Sequence, residues 1–155
     1  MNAEQYVAFQ DVLAGSNVLL SSAGGKSLSK SQNSFFHKRL GTGKSYVLKK
    51  IIDELTTRGK RFQVTSTSGR TAVLLGGLTI HRFLRITPAC HNLEDYIKGF
   101  RTKRTAQIFK NLDILIIDEI GMLTNDFFTL ISDILDYERE TGLPFGGVIQ
   151  VIHSA

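Results

Sequence analysis

Gly-Lys-Ser occurs twice in close succession, at Gly25-Lys26-Ser27 and at Gly43-Lys44-Ser45, and no other feature so narrows what this chain can fold into. A loop that wraps phosphate needs three consecutive parts. These are a buried strand, a glycine-rich turn whose N–H groups face the anion, and a helix whose N-terminus points at it. The first copy follows a short apolar run, Asn17-Val18-Leu19-Leu20, and the turn Ser21-Ser22-Ala23-Gly24, but no helical period comes after it. The second copy, Gly41-Thr42-Gly43-Lys44-Ser45, opens a strong amphipathic helix with Val47, Leu48, Ile51, Ile52 and Leu55 on one stripe. Before it stands His37-Lys38-Arg39-Leu40, which is not expected to form a strand and places Lys38 where the motif wants its first glycine.

Residues 25–40 therefore read as an irregular insert that splits one phosphate loop. They show neither a strand nor a helix period, and they carry four serines, four basic residues and no acid. Joining Gly24 to Gly41 restores a continuous strand, loop and helix, although a serine still replaces the first glycine. Two origins stay open. The segment is a surface loop in an unusual phosphate site, or it is a short in-frame intron retained in the reading frame. The second fits because GGTAAGT, a 5′ splice site, encodes its opening Gly-Lys-Ser, and TTAGGT, a 3′ splice site, encodes the Leu-Gly at its end. A real insert would leave ATP binding weak or absent.

Length and charge set the remaining bounds. The 155 residues suit one domain with a real core. No apolar run approaches the roughly 20 residues of a membrane span, so no membrane partner is expected. Cys90 is the single cysteine, so no internal disulfide can form. The first residues have the layout of neither a signal nor a transit peptide. The net charge of +5 hints at a polyanionic partner, but Lys26, Lys30, Lys38 and Arg39 carry most of it; the rest has 15 basic residues against 14 acidic.

Elsewhere short apolar runs alternate with helical periods. A helix is expected over Asn2 to Leu13, strands over Phe62–Thr67, Ile114–Ile117 and Val148–Ile152, and helical pieces from Gly69, at Thr79–Leu84 and over Asp126–Arg139. Between Thr87 and Lys110 the pattern predicts loops and short helices with Tyr96, Ile97, Phe100, Ile108 and Phe109 turned inward. The order implies an α/β fold with a parallel sheet flanked by helices, and together with the divided phosphate loop it reads as a P-loop NTPase. Ile114-Leu115-Ile116-Ile117 ends in Asp118 and Glu119, which places two carboxylates at the C-terminal edge of the sheet, where open α/β folds bind ligands. Asp118 would hold Mg²⁺ together with Ser45, Glu119 would orient or deprotonate the attacking water, and Lys44 would neutralise the β and γ phosphates.

The succession Asn2-Ala3-Glu4-Gln5, Gly41–Ser45, Val64–Ala72, Gly77-Leu78-Thr79-Ile80-His81, Ile116–Leu123 and Pro144-Phe145-Gly146-Gly147 closely resembles the Pif family of superfamily-one DNA helicases. The resemblance implies ATP hydrolysis with Mg²⁺ coupled to 5′-to-3′ DNA unwinding, with roles in DNA repair, recombination and telomere maintenance. It gives Gln5 the part of an adenine-reading glutamine beside Gly41, Thr42, Gly43, Lys44 and Ser45. It places Thr67, Ser68, Gly69, Arg70 and His81 on segments that contact single-stranded DNA, for which hydroxyls, backbone N–H groups and an arginine are suitable phosphate ligands.

Departures from the pattern qualify that expectation. Gly121 stands where the family usually has serine, and the chain stops after Val148–Ile152, where a Gly-Asp segment and a second motor domain are expected. Residues 1–155 thus read as a truncated first RecA-like domain that should not unwind DNA alone. A non-catalytic DNA- or partner-binding remnant is the alternative. An unrelated P-loop kinase or GTPase leaves Thr79-Ile80-His81 and Pro144–Gly147 without a role. The nucleus is the default compartment for such a helicase, with the mitochondrion as the other candidate.

Overall fold

The computed structural model describes residues 3–21, 36–39 and 44–153. The strand Ile114–Asp118 (β5) has every side chain buried, so it must lie inside a sheet covered on both faces. Alternation along the strand divides its side chains between two cores. Leu115 and Ile117 join one core with Phe83, Leu84, Phe109, Leu130, Ile131 and Ile134. Ile114 and Ile116 join the other with Val18, Leu20, Val47, Leu48, Ile51 and Val151.

The elements run in chain order as α1 (Ala3–Leu13), β1 (Val18–Ser21), β2 (Phe36–Arg39), α2 (Lys44–Thr57), β3 (Phe62–Ser66), α3 (Gly69–Leu74), β4 (Leu78–Thr79) and α4 (Ile80–Leu84). After them come α5 (Leu93–Asp95), which runs into a π turn (Tyr96–Phe100), α6 (Lys103–Lys110), β5, a 3₁₀ turn (Ile120–Met122) and α7 (Asn125–Arg139). A second 3₁₀ turn (Pro144–Gly147) leads into β6 (Ile149–His153). The described strands make a six-stranded sheet in the order β2-β1-β6-β5-β3-β4, and every pair is parallel. This is the α/β parallel sheet with flanking helices that the sequence implies.

The segment before the second Gly-Lys-Ser departs from expectation. Phe36 to Arg39 form a strand, with Val18 opposite Phe36 and Ser21 opposite Arg39. A sheet edge needs only one ladder partner and accepts basic side chains, so β2 arises from backbone pairing with β1 and not from an apolar run. Helix α2 meanwhile shares its core with β1 through Val47, Leu48, Val18 and Leu20. The rest of the expected insert, residues 25–35 and Leu40, lies outside the described residues.

Two inward assignments also change. Ile97 and Ile108 are exposed, whereas Tyr96 and Phe109 are fully buried. In α6 the inward face is Thr105, Ala106 and Phe109, and one residue of helical rotation carries Ile108 away from it. Tyr96 fills its site in part because its hydroxyl reaches Glu138, donating to Oε1 at 3.0 Å. Arg101 donates to the same carboxylate at 2.6 Å and 3.2 Å. Burial in the same place pushes the Tyr96 phenol well above its ordinary range.

Arg139 ties off the far end of α7. Its Nε donates to the Gly146 carbonyl at 2.8 Å, and its Nη1 lies within 3.0 Å of the carbonyls of Phe109, Lys110 and Leu112. Gly146 has φ of +61°, and a Cβ there would stand 2.6 Å from the Leu135 carbonyl, so only glycine fits. Pro144–Gly147 is thus a packing device under α7.

Glu138 is 2% exposed and serves both Tyr96 and Arg101. Replacing it by alanine strands a buried hydroxyl and a half-buried guanidinium. We expect Glu138→Ala to lower stability by about 2–4 kcal/mol, seen as a lower urea midpoint with an unchanged m-value.

Candidate nucleotide site and nucleic-acid cleft

The parallel sheet brings one set of strand ends together. Asp118 lies opposite Ser66 of β3 and His153 of β6, and Lys44 and Ser45 open α2. Asp118 is buried, and its Oδ1 accepts from the Glu119 N–H at 2.9 Å. Gln5 is buried on α1, the helix packed against α2. Gly41, Thr42 and Gly43 lie outside the described residues. A carboxylate at a sheet edge and a hydroxyl residue at a helix start are hard-oxygen groups of the kind that would hold Mg²⁺ with help from nucleotide phosphates and water. Among the described residues no group of three or more His, Cys, Asp or Glu could hold a metal ion without such help.

Glu119 leaves the sheet in the left-handed conformation, with φ of 60° and ψ of 45°. For a glutamate this costs on the order of 1–3 kcal/mol, so its surroundings must impose it. Thr67 Oγ1 lies 3.3 Å from the Glu119 carbonyl and 3.5 Å from its Oε2. Thr71 donates to Oε1 at 3.0 Å. The turn therefore aims the Glu119 carboxylate toward α3.

There it lines a cleft of roughly 940 Å³ with Thr67, Ser68, Arg70, His81 and Phe127. Ser68 caps α3, accepting from the Thr71 N–H, and Thr79 caps α4, accepting from the Arg82 N–H. These caps fix two loops on the same side of the sheet. Gly77, at the entry to β4, has no room for a Cβ, which would fall 2.3 Å from the Val64 carbonyl oxygen. His81 stacks on Phe127 with ring centroids 4.5 Å apart and planes 13° from parallel. Burial holds the imidazole below its ordinary pKa of 6.5.

The strand-contacting residues expected from sequence, Thr67, Ser68, Arg70 and His81, thus meet in one cleft, with Gly69 at the first turn of α3. Thr71 and Phe127 were not singled out by sequence. Thr71 reads as a helix residue, and Phe127 as one apolar member of the α7 period.

A family model, PIF1-like helicase, matches residues 2–154. The chain belongs to the PIF1-like helicase family. It is 31% identical over 152 residues to the ATP-dependent DNA helicase PIF1 of Xenopus laevis, and 33% identical over 123 residues to that of Homo sapiens. Those matches cover 98% and 79% of this chain but 21% and 19% of the relatives, so the chain spans about a fifth of their length. The crystal structure of Pif1 helicase from Candida albicans superposes with a TM-score of 0.82 at 28% identity. That match covers 99% of this chain and 32% of the other. PIF1-like membership and the superposition agree on the RecA-like parallel sheet.

Gly121 lines the cleft, and a Cβ there would meet nothing within 4 Å. Gly121→Ser, which restores the residue usual in the family, should shift stability by less than about 0.5 kcal/mol in thermal melts. His81 supplies a pH signature. Its folded pKa is depressed, so its contribution to stability is complete above 6.5 and is lost as pH falls through the folded value. The His81 ring resonances should titrate with a midpoint below 6.5, and His81→Phe should flatten the stability curve in that window.

Proposed function

We propose that these residues form the first motor domain of an ATP-dependent DNA helicase. The observation that carries this is that the cleft holding Thr67, Ser68, Arg70 and His81 opens directly on Glu119, one residue beyond Asp118. A nucleotide site and a strand site thereby share one turn of backbone. The relatives' description as ATP-dependent DNA helicases supports it.

In this reading Gln5 reads the adenine, and Gly41, Thr42 and Gly43 wrap the phosphates. Lys44 neutralises their charge, and Ser45 and Asp118 would hold a Mg²⁺, which would supply charge stabilisation at the terminal phosphate. Glu119 orients the attacking water. The neutral His81–Phe127 stack offers an aromatic face to a base, while Arg70 and the hydroxyls of Thr67 and Ser68 meet the backbone phosphates. Unwinding, with 5′-to-3′ travel, belongs to the protein as a whole, because translocation requires a second motor domain to close on ATP. The corresponding roles are DNA repair, recombination and telomere maintenance, and the expected compartment is the nucleus, with the mitochondrion as the alternative.

The two half-sites separate by mutation. Lys44→Ala should abolish the Mg-ATP binding that the divided loop retains and leave the affinity for an oligo-dT strand within about twofold. Arg70→Ala should weaken oligo-dT roughly five- to twentyfold, with a shallower salt dependence, and leave ATP binding intact. Both are read by fluorescence titration. Unchanged ATP binding in the first variant, or an unchanged strand affinity in the second, would count against the assignment.

A further inference from the structure

The Glu119 carboxylate is held by residues that the hydrolytic chemistry does not require. Thr71 donates to its Oε1 at 3.0 Å, and Ser68 in turn donates to the Thr71 hydroxyl at 2.9 Å. A chain of hydroxyls thus runs from the cleft wall to the carboxylate, and each bond polarises the next. Both carboxylate oxygens lie within reach of threonines on the strand-contacting side, and the left-handed turn at Glu119 commits the side chain to that direction. A bound strand that draws the Ser68 hydroxyl to a phosphate, or shifts the first turn of α3, weakens the bond from Thr71 and frees the carboxylate.

We propose that Thr71 is a positioning residue through which occupancy of the cleft by single-stranded DNA sets the orientation of Glu119. This rests on the helicase assignment above and adds to it the residue that carries the coupling. The coupling is reciprocal for binding. If the strand must loosen the Thr71 bond in order to seat, removing that bond in advance strengthens strand binding. It also leaves the Glu119 carboxylate, without a strand, only the longer 3.5 Å contact from Thr67. The cap of α3 does not depend on the Thr71 side chain, because there the Thr71 backbone N–H is the donor to Ser68 Oγ, at 3.2 Å. Thr71→Val therefore removes the hydroxyl and keeps both the shape and the cap.

The test compares the full chain with its Thr71→Val and Thr71→Ser variants, measuring oligo-dT affinity by fluorescence anisotropy and ATP turnover with and without the same oligonucleotide. Thr71→Val should bind oligo-dT about three- to tenfold more tightly, the size expected for the net worth of one ordinary hydrogen bond. Its strand-free turnover should rise until added oligonucleotide no longer stimulates it. Thr71→Ser, which keeps the hydroxyl, should restore the parent values. Parent-like affinity and stimulation in Thr71→Val, or a parallel fall of both, would overturn the inference alone. Failure of the unaltered chain to bind oligo-dT would overturn the helicase assignment, and this inference with it. Where the chain binds the strand but turns over no ATP, the affinity decides.

Discussion

The double burial of β5 is the constraint on which the rest of the structure depends. Its residues Ile114 to Ile117 are all apolar, and each is buried against one of two cores. At about 25 cal/mol per Å² of apolar surface, no arrangement that left one face in water could compete. The strand must then be central, with β6 and β3 as its neighbours. Once it is central, its C-terminal end has one exit, and Asp118 and Glu119 must stand at the sheet edge. The position of the carboxylates is thus set by the hydrophobic residues before them.

What the sequence made legible follows from that logic. Apolar runs bounded by small or polar residues located β1, β3, β5 and β6, and the stripe from Val47 to Leu55 located α2. These signals survive because each reflects burial of whole faces. Strand β2 was not legible, because its Phe-His-Lys-Arg sequence has no face to bury and its conformation comes from the ladder with β1. Ile97 and Ile108 misled for the opposite reason. An apolar residue on a short helix is weak testimony when its neighbours Tyr96 and Phe109 already fill the core.

The site was legible in part and for a different reason. Thr67, Ser68, Arg70 and His81 could be named from linked motifs, but their meeting in one cleft depends on β3 and β4 lying side by side, with Thr65 opposite Leu78. Thr71 falls within the Val64–Ala72 motif, but no role could be read for it. Its contact is 48 residues away, with Glu119, and no local pattern marks a threonine that faces a carboxylate across a sheet edge. Charge was the least informative signal. The excess of basic residues falls in 25–40, whereas the cleft is lined by hydroxyls, one arginine and a ring stack.

Motif membership and chemical role are also distinct here, and α7 shows how they connect. Its 15 residues extend about 22 Å at 1.5 Å per residue, from Thr124, whose hydroxyl caps the helix at the cleft, to Arg139. At the near end Phe127 stacks on His81. At the far end Arg139 is held by four carbonyls, one of them Gly146 in the Pro-Phe-Gly-Gly turn. A helix packed along its length and pinned at its end cannot rotate without losing those bonds together, and any rotation would carry Phe127 off the imidazole. The Pro-Phe-Gly-Gly turn therefore acts on the cleft without touching it, by fixing the helix that supplies one of its aromatic walls.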